Sequence, residues 1–336
     1  MKILTICIPC TNAINYMHKA LGSCMILKDD LEIIIIDNNS TDETYQAALA
    51  YQQDYPETFK VIKNTENEDI IALAYRHATG LYFKVLDSYD WVDRASLVRV
   101  VETLHDIIRV QANLDVIVTD YCAFYEKKPR VVSYRSVFPK DKIFGWHEIK
   151  HFKKKQYLLR SSLILKTRIV KEVIDNFSLG ATFPLEILAY GPLPYLRSFC
   201  YIDMPLHCFG RNPFTNISID TFKQMDLLKV ARLYFDYYDI YSLRSRKQRN
   251  YMIKYLSMVT LIVSALLSLE GNLESIQDKD DLWNYLKYTN AKLYKELKKT
   301  SYGRLAIVEG RLSNNVIKLA YDLILKIYGI YLYTYL

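Results

Sequence analysis

The run Leu-Glu-Ile-Ile-Ile-Ile at 31–36 is apolar apart from Glu32, and it stops abruptly at Asp37-Asn38-Asn39-Ser40-Thr41-Asp42. A short continuous apolar run with so sharp a polar end predicts a strand covered on both faces, as in the centre of a parallel sheet. Further strands are expected at 3–8, 59–62, 81–86 and 114–119. Helical periodicity fills the gaps between them. One helix is expected over 12–25 with Asn12 as its cap, and a second over 42–53 capped by Ser40 or Thr41, with Asp42 and Glu43 near its positive end. A third is expected over 69–77, closed by Gly80, and a fourth over 93–109. Strands alternating with helices at this rhythm predict a doubly wound, mostly parallel α/β sheet.

Ligands of such sheets bind where the strands finish. Polar residues gather at three of these ends: Thr11 and Asn12 after the first strand, Asp37 to Asn39 after the second, and Asp87 to Asp90 after the fourth. A transferase acting on a sugar nucleotide must hold a diphosphate leaving group and neutralise its charge. A divalent cation between carboxylate and diphosphate does this, and oxygen ligands suit Mg or Mn. Asp87-Ser88-Tyr89-Asp90-Trp91 has the form of such a carboxylate turn. The alternative is that Asp87 and Asp90 only shape the turn before the helix at 93, and that Asp37 is a turn former.

The segment ATGLYFKVLDSYDWVD resembles the part of family 2 glycosyltransferases that usually ends in D-x-D-D-W. ICIPCTN is similar to their first strand, and IIIIDNNSTDET to their second strand and turn, in the same order and at matching spacing. The resemblance covers about residues 1–120 and extends more weakly through KKKQYLLRSS, PLPYLRSF and the helical tail, as in a bacterial subgroup with such tails. It implies a GT-A fold, a nucleoside-diphosphate sugar donor, a glycan, lipid-linked or protein-bound acceptor, and inversion at the transferred carbon. By position, Pro9, Thr11 and Asn12 would border the base, and Asp37 and Asn39 would contact base or ribose. Asp87 would approach the ribose or, helped by Asp90, hold Mg or Mn. Glu186 would be the catalytic base, and Arg211 would face the diphosphate. Surface acid and structural ion pair are the competing readings of Glu186 and Arg211.

The departures are specific. Tyr89 replaces the second metal carboxylate, and a phenol is a poor Mg ligand at neutral pH. Asp90, one position along an extended segment, is expected to face the other way. Thr11 replaces the usual aromatic residue. Thr65-Glu66-Asn67-Glu68 stands where relatives carry a glycine-rich loop, and its two acids would repel a diphosphate. Ala72 replaces a common Asn. His207 is a candidate substitute ligand, against the simpler reading of a packed histidine. A second hypothesis therefore stands beside the enzyme: a degenerate relative that binds a partner or a glycan without transfer. A nicotinamide enzyme is disfavoured, since G-x-G-x-x-G does not follow the first strand.

The expected organisation is a GT-A-like domain over 1–215, with a nucleotide-sugar part at 1–120 and an acceptor part at 121–215, followed by a helical region at 216–336. The net charge of +7 suits an anionic donor or membrane face but is too diffuse for nucleic acid. Cys7 and Cys10 form C-x-x-C without a second pair, which predicts buried reduced thiols. MKILTICIPC reads as a strand, not a signal peptide. The longest apolar stretch, 256–269, contains Ser257, Thr260, Ser264 and Ser268 and predicts a buried helix, shorter than the ~20 residues of a membrane span. The expected location is cytoplasmic, with possible contact at the inner membrane face through 317–336 or through basic residues at 150–155 and 244–249. For those segments, docking on the protein and solvation are the alternatives.

Overall fold

The computed structural model describes residues 2–125, 128–152, 156–177, 187–210, 227–270 and 272–307. By its internal contacts the chain divides into two compact units, Met1–Asn212 and Pro213–Leu336.

The first unit is built on β1 (Leu4–Cys10), β2 (Leu31–Asp37), β3 (Phe59–Lys63) and β4 (Tyr82–Val85). Between them lie α1 (Met17–Cys24), α2 (Thr44–Asp54) and α3 (Ile70–His77). After β4 come a two-residue strand, β5 (Trp91–Val92), then α4 (Arg94–Arg109), β6 (Val116–Tyr125), β7 (Lys128–Val132) and β8 (Ile143–Phe144). The unit continues with β9 (Leu163–Lys166), α5 (Thr167–Asn176), α6 (Ile187–Tyr190) and β10 (Phe199–Cys208). The sheet order is β3-β2-β1-β4-β9-β6-β10-β5, with β7 on β6 and β8 on β10. β1, β2, β3 and β4 run parallel, as do β6 and β10, while β9 is antiparallel to both β4 and β6.

The expected parallel α/β half is therefore present, and β9 is the interruption that periodicity did not reveal. β2 is buried at every position, and Ile33 to Ile36 are fully inaccessible. Each contributes roughly 1.5–3 kcal/mol relative to an exposed side chain. Glu32 is tolerated inside this strand because it accepts hydrogen bonds from Thr5 Oγ1 at 2.6 Å, the Thr79 amide at 2.8 Å and Thr79 Oγ1 at 3.0 Å.

Several expected helix ends move. Asn12 is not a cap: it sits at φ 48° in a loop, and α1 starts only at Met17. Neither Ser40 nor Thr41 caps α2, whose first turn follows Glu43. Asp42 instead binds Thr44 through its amide at 3.0 Å and its hydroxyl at 2.5 Å. Gly80 does not close α3. A Cβ there would lie 2.5 Å from the Thr5 amide nitrogen, so glycine is required by the close approach of β1. Asp69 and Asp93 do cap α3 and α4, accepting from the amides of Ala72 at 2.7 Å and Ser96 at 2.9 Å.

The second unit is helical where described: α7 (Leu227–Asp236), α8 (Arg246–Glu270), α9 (Leu273–Thr289), α10 (Ala291–Lys299) and α11 (Ser301–Ala306). α8 contains the expected apolar stretch. Arg246–Ser268 is long and apolar enough to cross a membrane, yet 89% of that window is buried inside the protein. Two of its hydroxyls turn back on the helix, Thr260 to Leu256 O and Ser268 to Ser264 O, both at 2.7 Å. That satisfies them without water. Gly271 and the 317–336 segment lie outside the described residues.

Candidate functional site

The carboxyl ends of β1, β2 and β4 lie side by side. Cys10 pairs with Asp37 across β1 and β2, Cys7 pairs with Val85 across β1 and β4, and the Leu86 amide continues the ladder to Cys7 O at 2.9 Å. The loops leaving β1 and β2 are laced together. Asn12 Oδ1 accepts from the Thr41 amide at 2.8 Å, the Asn12 amide donates to Ser40 Oγ at 3.1 Å, and the Ala13 amide donates to Thr44 Oγ1 at 2.7 Å. Asn39 takes φ 55°, a conformation asparagine tolerates better than most residues. Thr11, Asn12 and Asn39 are exposed and Pro9 is half-buried, so the sequence brings these predicted contacts to one rim.

Asp37 ends β2 at this rim. It is fully buried, its Oδ2 accepts from the Ser40 amide at 3.4 Å, and its Oδ1 has no partner among the described residues. An unsatisfied buried carboxylate oxygen is costly, by about 1–3 kcal/mol or more. A ligand donor at that point would remove the cost.

The turn after β4 is held differently from the expectation. Asp87 Oδ2 accepts from Arg160 Nη2 at 2.8 Å, with both side chains mostly buried. Arg160 stands on a 3-10 turn, Arg160–Ser162, just before β9. Behind it, the buried Lys84 donates from Nζ to Ser161 O at 2.7 Å. Asp90 is fully buried. Its Oδ2 lies 2.7 Å from His207 Nε2, and its Oδ1 accepts from the Gly210 amide at 2.8 Å. β5 pairs with β10 beside this link, and a Cβ on Gly210 would fall 1.7 Å from Tyr89 O. The β10 terminus thus clamps the turn.

Burial dominates the electrostatics. It pushes the Lys84 ammonium down to about 7, with Arg160 adding repulsion. It raises Asp90 well above the carboxylate range, with Asp87 adding to the effect, and holds His207 well below its ordinary value, so both favour uncharged forms. Burial likewise raises Cys7 and pushes Cys10 up to about 12, and all six cysteines are free, as expected of inert reduced thiols.

These contacts do not fit the expected cation. Both oxygens of Asp90 serve His207 and Gly210, and Asp87 already faces a guanidinium. His207 is a partner of Asp90 and not a substitute ligand. Among the described residues no group of three His, Cys, Asp or Glu side chains could hold a metal ion. At an effective dielectric near 20, two unit charges ~4 Å apart interact by about 4 kcal/mol, so a dication next to Arg160 would meet twice that repulsion. In this structure Asp87 stands in an ion pair with Arg160, and Asp90 in a separate buried hydrogen-bonded pair with His207.

The Thr65 to Glu68 loop is also milder than its sequence implies. Asn64 anchors it through Nδ2 to Glu68 O at 2.9 Å and Oδ1 from the Glu68 amide at 2.9 Å, and Glu68 pairs with Arg76 at 2.5 Å. Glu186 and Arg211 lie outside the described residues, as do Lys153 to Lys155. Sequence reasoning missed Arg160 and Lys84. Their signal was present: each is a lone cation in an apolar run, YLLRSSLIL and LYFKVL.

The model of glycosyl transferase family 2 matches residues 5–164, the stretch that builds β1 to β4, the Asp87 turn and the Arg160 segment. Residues 5–164 are thus similar to a family 2 glycosyl transferase domain. Compared by sequence with curated proteins, the chain matches none. In structure the chain resembles S. aureus TarS 1–349, with a TM-score of 0.65 at 14% identity over 96% of this chain and 92% of that one. The TarS fragment in complex with UDP-GlcNAc gives 0.63 at the same identity and coverage. The mannosyltransferase PcManGT from Pyrobaculum calidifontis, in complex with GDP-Man and Mn2+, gives 0.50 at 12% identity over 98% and 87%. At these identities the likeness establishes a shared GT-A fold, including the helical C-terminal region.

Proposed function

We propose that this glycosyltransferase moves a sugar, of the hexosyl type, from a nucleoside-diphosphate donor to a hydroxyl of a glycan, lipid-linked or protein-bound acceptor, with inversion. The observation that carries the donor half is Asp37. Its Oδ1 is buried and unsatisfied at the meeting point of the β1 and β2 loops, where a base or ribose donor would complete it. Asn12 and Asn39 shape the rim above it, and Pro9 forms one wall. Glu186 is the proposed base that takes the acceptor proton, on the resemblance alone. Since Asp87 and Asp90 do not offer a cation site, no step is assigned to a metal. A cell-surface polysaccharide role and a cytoplasmic location, with peripheral membrane contact, remain part of this reading.

Thermal unfolding with UDP, GDP, CDP, ADP and dTDP tests it. One nucleotide should raise Tm, since a ligand at 100 times its Kd adds about 2.7 kcal/mol. Asp37→Ala should abolish the rise while the unliganded chain still melts cooperatively. A flat response to all five nucleotides would remove the donor-binding reading.

The second reading, binding without transfer, is favoured by the sequestration of Asp90 against His207. Release of free sugar or nucleoside diphosphate from a bound donor separates the two. A donor bound and never consumed, with water or a supplied acceptor, supports the non-transferring chain.

A further inference from the structure

The turn after β4 supports an inference about charge that rests on the donor-binding reading above. A diphosphate brought to the ends of β1, β2 and β4 carries its negative charge toward Asp87, so a positive charge must stand between them. In this chain a guanidinium already stands against Asp87. Arg160 Nη2 reaches Asp87 Oδ2 at 2.8 Å, and the two side chains are only 6% and 13% exposed. A guanidinium keeps its charge at any working pH, and its planar fork of N–H groups matches phosphate oxygens. The Arg160–Ser162 turn is itself fixed, because the buried Lys84 holds Ser161 O at 2.7 Å from below. Asp90 is withdrawn into the His207 and Gly210 contacts.

We propose that this chain binds the diphosphate of its donor without a divalent cation, the buried Arg160 guanidinium supplying the positive charge beside Asp87. The carboxylate then orients the guanidinium, where in a metal-dependent site it would ligate the ion. Arg160 is a binding residue in this account, and Lys84 positions the turn that carries it.

Calorimetric titration of the full chain with UDP, and with GDP, CDP, ADP and dTDP as further probes, tests the proposal in EDTA and again in millimolar MnCl2. The tightest-binding nucleotide should show the same Kd within about two-fold in both buffers. Arg160→Gln should weaken it by at least ten-fold in both, and Arg160→Lys by less. The buffer comparison uses the unmodified chain and stands even if Arg160→Gln does not fold. Affinity lost ten-fold or more in EDTA and restored by Mn would overturn the proposal while leaving the donor-binding reading intact. So would nucleotide binding indifferent to a folded Arg160→Gln chain. Absence of binding by all five nucleotides in both buffers would overturn the proposal together with the reading on which it rests.

Discussion

At the scale of single residues, the site is governed by where charge is buried. Lys84 sits in the middle of β4 with its ammonium on Ser161 O, and burial pushes it down to about 7 from an ordinary 10.5. Between those two values the unfolded chain holds a proton that the folded chain has released. Stability from this group therefore rises with pH across that window, by up to ~1.4 kcal/mol per unit. Above about pH 9 the buried thiols act the other way, since the unfolded chain ionises them first. Urea unfolding of the wild type and Lys84→Met at pH 7 and pH 9 isolates the lysine. The variant should be the more stable at pH 7, and its advantage should shrink by pH 9. A pH-independent difference would show that Lys84 keeps an ordinary pKa. Lys84 and Arg160 were visible in sequence as lone cations in apolar runs. Their partners were not, because Asp87 lies 73 positions from Arg160 and Ser161 lies 77 from Lys84, and only the folded sheet brings them together.

At the scale of elements, the Asp87 turn belongs as much to β10 as to β4. Asp90 receives His207 and the Gly210 amide, and Gly210 lies so close to Tyr89 O that any side chain must displace backbone. Gly210→Ala should cost about 1–3 kcal/mol or more, the range for overpacking, read as a lower urea midpoint with unchanged slope. An unaltered midpoint would mean that β10 does not clamp the turn. The apolar strand runs and the capped helices α3 and α4 were legible because burial on both faces and N-cap chemistry are local. β9 and the ten-residue β10 were not. Their strand pairing comes from partners on β4 and β6 far away in sequence. Asn12 was misplaced for a related reason: its side chain caps no helix but accepts from the Thr41 amide 29 residues on.

At the scale of the whole molecule, the account requires that a nucleoside diphosphate settle where β1, β2 and β4 end in the Met1–Asn212 unit. The alternation of strands and helices through the first half was readable in the sequence, and so were the three polar strand ends. The electrostatic design was not, since it depends on which oxygens are already spent once the chain folds. The direct measurement is amide hydrogen exchange along the full chain, with and without the nucleoside diphosphate that raises Tm most. Slowed exchange is expected in residues 8–13, 36–42 and 84–91 together. Protection confined to residues 227–307, or unchanged exchange at all three strand ends, would contradict the placement of the donor.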